Sequence, residues 1–135
     1  MAFSLVNWWA VLAATAVNMF VGFLWYGPLF GAQWLRLMDK NRSQISGGNN
    51  PLTYLIPMVA AFLSSLVLAL VLGLLRVFSL WSGVMWGALL WTAFGATALL
   101  TTGVFESRKQ GLSWLFISYM VIVHAINGGM FAVWR

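Results

Sequence analysis

Residues 7–34 of the chain read NWWAVLAATAVNMFVGFLWYGPLFGAQW, and this stretch sets the plan of the fold. It contains no Asp, Glu, Lys or Arg, and its first part is long enough to cross a bilayer as a helix. Residues 25–28 then bring two aromatic rings, a Gly and a Pro. Because proline disfavours helix at the preceding residue and aromatic rings suit the headgroup region, we expect the helix to end there.

One side of this predicted helix carries small or amide side chains, three or four residues apart. The residues on this face are Asn7, Ala10, Ala14, Asn18 and Gly22. Small residues let a second backbone approach closely, which is how helices gain contact energy in lipid. An amide facing acyl chains would lack a hydrogen-bond partner, so this face is predicted to pack on protein or to line a water-filled cavity.

The composition places the whole chain in a membrane. Of the 135 residues, 62% are hydrophobic and 7% are charged, whereas soluble domains carry about 25% charged residues. Four long stretches lack Asp, Glu, Lys and Arg, so we predict an all-α membrane protein with four transmembrane helices in an antiparallel bundle. The helices, which together form a single transmembrane domain over residues 1–135, are expected at about residues 3–26, 51–75, 80–103 and 112–134.

The connectors complete the predicted architecture. Residues 29–38 are aromatic and amphipathic, which is typical of a short interfacial helix on the membrane surface. Two residues, Val77 and Phe78, separate Arg76 from a predicted helix cap at Ser79. We therefore expect the second and third helices to form a tight antiparallel hairpin.

Small residues recur in the other three helices. They are Ala61, Ser65, Ala69 and Gly73 in the second, Gly83, Gly87 and Gly95 in the third, and Gly128, Gly129 and Ala132 in the fourth. A four-helix bundle cannot use every side of every such ridge internally. The ridges therefore favour association with further helices.

A cleavable signal peptide is the main alternative for the first helix. The triplet Ala14-Thr15-Ala16 resembles a cleavage site. However, no Lys or Arg precedes the apolar run, which favours a retained helix.

The net charge of +5 is concentrated in the connectors. The connectors after the first and third helices hold Arg36, Lys40, Arg42, Arg108 and Lys109, whereas Arg76 and Arg135 lie on the other side. The excess of cations predicts that the first side is cytoplasmic and that both termini are extracytoplasmic. We expect these five cations to contact anionic lipid headgroups; no basic patch is large enough to track nucleic-acid phosphates.

A polar layer appears near the bilayer centre when the four helices are aligned by their midpoints. It contains Thr15, Asn18, Ser65, Trp91, Thr92, His124 and Asn127. One explanation is a midplane site or polar path for a small solute or proton. The other, which we favour, is hydrogen bonding between helices, each bond contributing only about 0.6 kcal/mol on average.

His124 and Trp91 are the most unusual members of this layer. His124 is the single histidine of a chain without cysteine, so metal or haem ligation lacks further ligands and no cofactor is expected. For His124 we favour a hydrogen-bonded helix contact, and for Trp91 packing into a neighbouring helix over stacking on a ligand. Glu106 lies beside Arg108 and Lys109, which indicates a solvated ion cluster and not a catalytic acid.

The string WYGPLFGAQW at residues 25–34 resembles the signature of an uncharacterised bacterial membrane family, domain of unknown function 1761. The opening NWWA at residues 7–10 is also similar to that family, as is FESR at residues 105–108, followed by a last helix with His124 and a Gly pair. The resemblance covers essentially the full chain. It implies a four-helix bacterial membrane protein and brings no activity.

These observations favour a non-enzymatic membrane protein that acts through helix packing. It would be a homo-oligomer or an accessory subunit of a larger complex in the bacterial inner membrane. The alternative is a minimal transporter or channel that uses the midplane polar layer. An enzyme ranks third, because lipid-modifying membrane enzymes present several His or acidic residues at an interface.

Overall fold

The structure is a computed structural model that describes Ser4, residues 6–45 and residues 50–134. Within these ranges the regular elements are all helical. The α-helices are α1 (Trp8–Leu24), α2 (Gly31–Met38), α3 (Leu55–Leu74), α4 (Leu80–Trp91), α5 (Thr97–Phe105) and α6 (Gln110–Val133). Two π-helical segments, Trp25–Leu29 and Thr92–Ala96, continue α1 and join α4 to α5. Short 3₁₀ turns lie at Arg42–Gln44 and Pro51–Tyr54.

Four continuous helical runs are long and apolar enough to cross a bilayer. These four spans are Trp8–Leu29, Pro51–Leu74, Leu80–Phe105 and Gln110–Val133. The predicted fold class, four transmembrane helices with a short helix after the first, is therefore confirmed. Phe3, where the first helix was expected to begin, and Arg135 lie outside the described residues.

The first span begins at Trp8 because Asn7 caps it. The Asn7 Oδ1 accepts hydrogen bonds from the backbone N–H groups of Trp9 and Ala10, at 3.0 and 3.2 Å. These are donors that the first turn of a helix leaves without intrahelical partners. Asn7 is thus a terminal cap, while Ala10 and Asn18 further along the same face are buried.

The first span also runs further than the sequence predicts. Its last five residues, Trp25–Leu29, form a π-helical turn in which the Phe30 N–H donates to the Trp25 carbonyl at 2.8 Å. The wider turn accommodates Pro28, which has no N–H to donate. Helix therefore continues through Gly27, where the proline signal predicted an end.

The short helix α2 folds back against the start of α6. A Cβ placed on Gly111 would lie 2.8 Å from the Leu37 side chain, so the glycine permits this approach. The helix ends at Asp39, which takes the left-handed conformation with φ of 54°.

The core lies between α1, α3 and α6. Its fully buried members include Ala10, Val11 and Ala14 of α1 and Leu72 of α3, and Phe131 of α6 packs with them. The small residues Ala61, Ser65 and Ala69 of α3 are also buried. The ridges of the first and second spans are therefore largely used within the chain.

The third span packs on α6 through glycine. A Cβ on Gly87 would lie 2.0 Å from the His124 carbonyl oxygen, and one on Gly83 would lie 2.3 Å from the Gly128 carbonyl oxygen. Such distances do not occur between real atoms, so only glycine allows α4 and α6 to approach this closely. The GxxxG pair of the sequence is thus an internal contact surface.

The second and third spans do not form the predicted tight hairpin. The connection between them is short, but α3 packs mainly on α1, while α4 packs mainly on α6. The two helices consequently diverge from their link at residues 75–79. Loop length constrains where two helices begin, but it does not determine which neighbour each one packs on.

Replacing Gly87 with Ala is expected to destabilise the fold. The added methyl would collide with the His124 carbonyl and force α4 away from α6, at a cost of about 2 kcal/mol. The measurement is the free energy of unfolding in mixed micelles of increasing SDS content. The matched control is Gly27→Ala, because a Cβ on Gly27 meets nothing within 4 Å. Equal stability of the two variants would contradict this account of the contact.

Candidate functional site

One member of the predicted polar layer, Asn18, connects the first and last spans. The Tyr119 hydroxyl donates to the side-chain Oδ1 of Asn18 at 2.7 Å and also lies 2.9 Å from the backbone carbonyl oxygen of Asn18. Both side chains are buried. Asn18 therefore points at protein, as its position on the small-residue face predicted.

Tyr119 is a residue that the sequence analysis missed. It lies four residues before Val123 and eight before Asn127, and all three side chains are buried on one face of α6. This spacing was present in the sequence, but one tyrosine in an apolar span is not distinctive. An Asn18 side chain buried in the bundle requires a hydrogen-bond donor. This requirement is the signal from which Tyr119 could have been identified.

A second polar group lies deeper in the same core. The Asn127 Nδ2 donates to the Ala14 carbonyl at 3.3 Å, so α6 is also hydrogen-bonded to the backbone of α1. The Asn127 Oδ1 and the Ser65 Oγ are buried without a hydrogen-bond partner among the described residues. The first, second and fourth spans thus all bring polar groups to the core.

The two threonines of the predicted layer do not join this group. The Thr15 hydroxyl donates to the Val11 carbonyl of its own helix at 2.8 Å. The Thr92 hydroxyl donates in the same way to the Ala88 carbonyl at 2.7 Å, and Thr92 is exposed. Hydroxyls that bond back to their own helix need no partner on another one.

His124 and Trp91 lie next to each other, on α6 and α4. Their ring centroids are 5.9 Å apart, and the His124 side chain is buried. The His124 Nδ1 lies 2.8 Å from the Met120 carbonyl oxygen. Because a carbonyl only accepts, Nδ1 carries the proton, and in the neutral ring Nε2 presents a lone pair.

These two rings line a cleft between the diverging second and third spans. The cleft has a volume of about 510 Å³ and lies between the side chains of Leu63 and Val67 of α3 and that of Phe94. The exposure of these three residues shows that it opens sideways, towards the hydrocarbon that surrounds a membrane protein. We call it the α3–α4 cleft.

A polar cleft of about 620 Å³ lies at the end of α2 and the turn that follows it. Three of the five predicted headgroup-contacting cations line it, namely Arg36, Lys40 and Arg42. The fourth, Lys109, forms an exposed ion pair with Asp39, which connects the loop before α6 to the end of α2. The fifth, Arg108, is exposed in that loop.

Metal ligands do not cluster in the described residues, where no three His, Cys, Asp or Glu side chains come together. Most of the polar groups described above instead pair locally, between neighbouring helices or with their own backbone. Four apolar spans held together in this way define a multi-pass integral membrane protein.

Over residues 9–131 the chain matches the family described as protein of unknown function (DUF1761), and it belongs to that family. The resemblance drawn from residues 25–34 is thereby confirmed. No curated protein and no solved structure matches the chain.

Replacing Tyr119 with Phe tests the contact between the first and last spans. Loss of the hydroxyl leaves the buried Asn18 amide oxygen without its donor, so unfolding should require about 1 kcal/mol less free energy. The measurement is again unfolding in mixed micelles. Tyr54→Phe, at an exposed tyrosine, is the control and should have no effect. A Tyr119→Phe variant as stable as the control would show that this hydrogen bond does not stabilise the fold.

Proposed function

We propose that this chain is a non-enzymatic membrane protein that works as a homo-oligomer, assembled through its third span. The support is the uneven burial of the four spans. Half of the residues in the apolar window of the fourth span are buried, compared with 11% in the third. The third span is thus held to the bundle along one side and leaves the rest of its surface uncovered.

The uncovered surface of the third span carries a row of small residues. We define the association ridge as Ala93, Thr97 and Thr101, which lie at a spacing of four, with Ala98 and Thr102 beside them. All five residues are exposed. Surfaces that face lipid are normally covered by large apolar side chains, whereas helix interfaces in membranes are enriched in small ones.

The hydroxyls of the ridge are satisfied inside their own helix. Thr97 donates to the Ala93 carbonyl at 2.6 Å, Thr101 to the Thr97 carbonyl at 2.8 Å, and Thr102 to the Ala98 carbonyl at 3.0 Å. The ridge therefore presents methyl groups and a shallow groove without orphaned polar atoms. Such a surface allows two backbones to approach each other closely. The exposed row of small residues is therefore the observation that carries the proposal.

The ridges that first suggested association are not available for it. Those of the first and second spans face the core, and Gly83 and Gly87 pack on α6. The association ridge is a different surface, in the half of the third span that begins in the π-helical segment. An accessory subunit would use the same surface to bind a different membrane protein.

The alternative of a minimal transporter has less support. Thr15 and Thr92 bond to their own helices, and Asn18 is paired with Tyr119. These polar groups therefore do not converge on one path through the chain. A pathway between several copies would remain compatible with the homo-oligomer that we propose.

Oxidative cross-linking tests the association ridge. The chain has no cysteine, so a single introduced thiol reports one position. Thr97→Cys and Thr101→Cys variants in native membranes should each form a disulfide-linked dimer on mild oxidation, because two copies would bring these positions together.

Phe20→Cys is the matched control, since Phe20 is an exposed side chain on the first span. It should stay monomeric under the same conditions. The homo-oligomer would be ruled out at this surface if the Thr97 and Thr101 variants cross-linked no more than Phe20→Cys. Cross-linking of the ridge variants to another protein would instead identify an accessory subunit.

The cations of the α2 cleft support a cytoplasmic position in a bacterial inner membrane, facing anionic headgroups. Arg36, Lys40 and Arg42 surround the polar cleft on the side that carries five of the seven cations. Each cation near an anionic surface contributes about 1 kcal/mol of attraction. Both termini would then be extracytoplasmic.

Replacing Arg36, Lys40 and Arg42 together with Gln should reduce the enrichment of phosphatidylglycerol around the protein. Native mass spectrometry from nanodiscs that mix phosphatidylglycerol and phosphatidylcholine measures the retained lipid. Arg76→Gln, a single change at the opposite connector, is the control and should retain most of the anionic lipid. Unchanged retention in the triple variant would contradict the proposed headgroup contacts.

A further inference from the structure

We propose that the α3–α4 cleft binds a membrane-soluble alcohol or phenol whose hydroxyl hydrogen-bonds to His124 and Trp91. This site is separate from the association ridge and does not depend on the proposed assembly.

The cleft arises because two helices that are adjacent in sequence pack on different partners. The glycine contact holds α4 against α6, and α3 stays with α1, so a gap opens between them. Its volume of about 510 Å³ lies within the usual range of ligand pockets, about 300–1,000 Å³. Its walls are mainly Leu, Val and Phe side chains, which favours an apolar occupant drawn from the bilayer.

One polar side chain that lines this cleft, His124, has a ring nitrogen without a partner. The His124 side chain is 6% exposed, its Nδ1 proton is bound by the Met120 carbonyl, and its Nε2 has no hydrogen-bond partner among the described residues. A lone pair in an apolar cleft is costly unless a donor reaches it. His124 therefore selects an occupant that carries a hydrogen-bond donor.

Trp91 supplies the complementary group. Its indole Nε1 lies against Gly95, another residue of the cleft, where a Cβ would come within 2.9 Å of it. The Nε1–H makes no hydrogen bond in the part of the chain that the structure describes. Ser64 also lines the cleft, but its hydroxyl donates to the Ala61 carbonyl of its own helix at 3.3 Å. His124 and Trp91, with ring centroids 5.9 Å apart, thus offer an unpaired acceptor and an unpaired donor near each other.

A hydroxyl group matches this pair, since it donates one hydrogen bond and accepts another. A carbonyl lacks the proton that Nε2 requires, and an ammonium group would bring a charge into an apolar wall. The remaining wall suits an alkyl chain or ring. The chemistry therefore defines a long-chain alcohol or an alkylated phenol.

The test measures binding of radiolabelled para-dodecylphenol to the full chain in phosphatidylcholine nanodiscs, with empty nanodiscs subtracted. The phenol should bind saturably. Its methyl ether, which has no proton to donate, should bind about tenfold more weakly, the loss expected for one hydrogen bond. His124→Phe should reduce the affinity for the phenol to that for the ether and leave the ether unaffected.

A second pair of variants tests the position of the site without changing a buried residue. Val67→Trp fills the cleft from its exposed rim and should abolish binding of both compounds. Leu74→Trp adds the same side chain to an exposed position of α3 outside the cleft and should leave both affinities unchanged. These variants and the ether comparison decide the question even if His124→Phe does not fold.

Three results would overturn the proposal. Equal affinity for phenol and ether would show that no hydroxyl is recognised. Binding that is not saturable would show that acyl chains fill the cleft. A disulfide-linked dimer of a Val67→Cys variant would show that a second copy of the chain occupies it.

Discussion

The close approach of two backbones, α4 on α6, is the constraint on which the rest of this structure depends. In lipid, apolar side chains gain little by moving from acyl tails to protein, so helices adhere through short-range packing. Gly83, Gly87 and Gly128 remove the side chains that would keep the two helices apart. Because α4 packs closely on α6, it cannot also pack along α3. The gap that remains between α3 and α4 is the cleft beside His124.

Polar groups in this bundle are satisfied at short range. Tyr119 reaches Asn18, Asn127 reaches the backbone at Ala14, and the threonines of the third span return to their own carbonyls. Such pairing is what a medium without water demands of each donor and acceptor. Exceptions to that pattern among the described residues include the Asn127 Oδ1 and the Ser65 Oγ, which are buried without a partner, and the His124 Nε2, whose lone pair is unmatched beside the cleft.

Much of this architecture can be predicted from the sequence. Charge-free runs locate all four spans, and the small-residue face of the first span correctly places Asn18 inside. The position of each span along the chain and the buried face of the first span are therefore predictable, whereas the neighbour on which each helix packs is not. Aligning midpoints grouped Thr92 with Asn18, although Thr92 is exposed. The hairpin prediction was wrong because the short link at residues 75–79 does not determine which helix α3 and α4 each pack on, and the glycine contact places α4 on α6.

The π-helical segment at Thr92–Ala96 divides the third span into two halves with different directions of contact. One additional residue in a helix rotates everything beyond it by about 100°. The glycine surface of α4 and the threonine surface of α5 consequently face different directions around the helix axis, although the helical span is continuous. Insertion of a single residue at such a position rotates the half of the helix that follows it. This is a short evolutionary route from a surface that faces the bundle to one that faces outward.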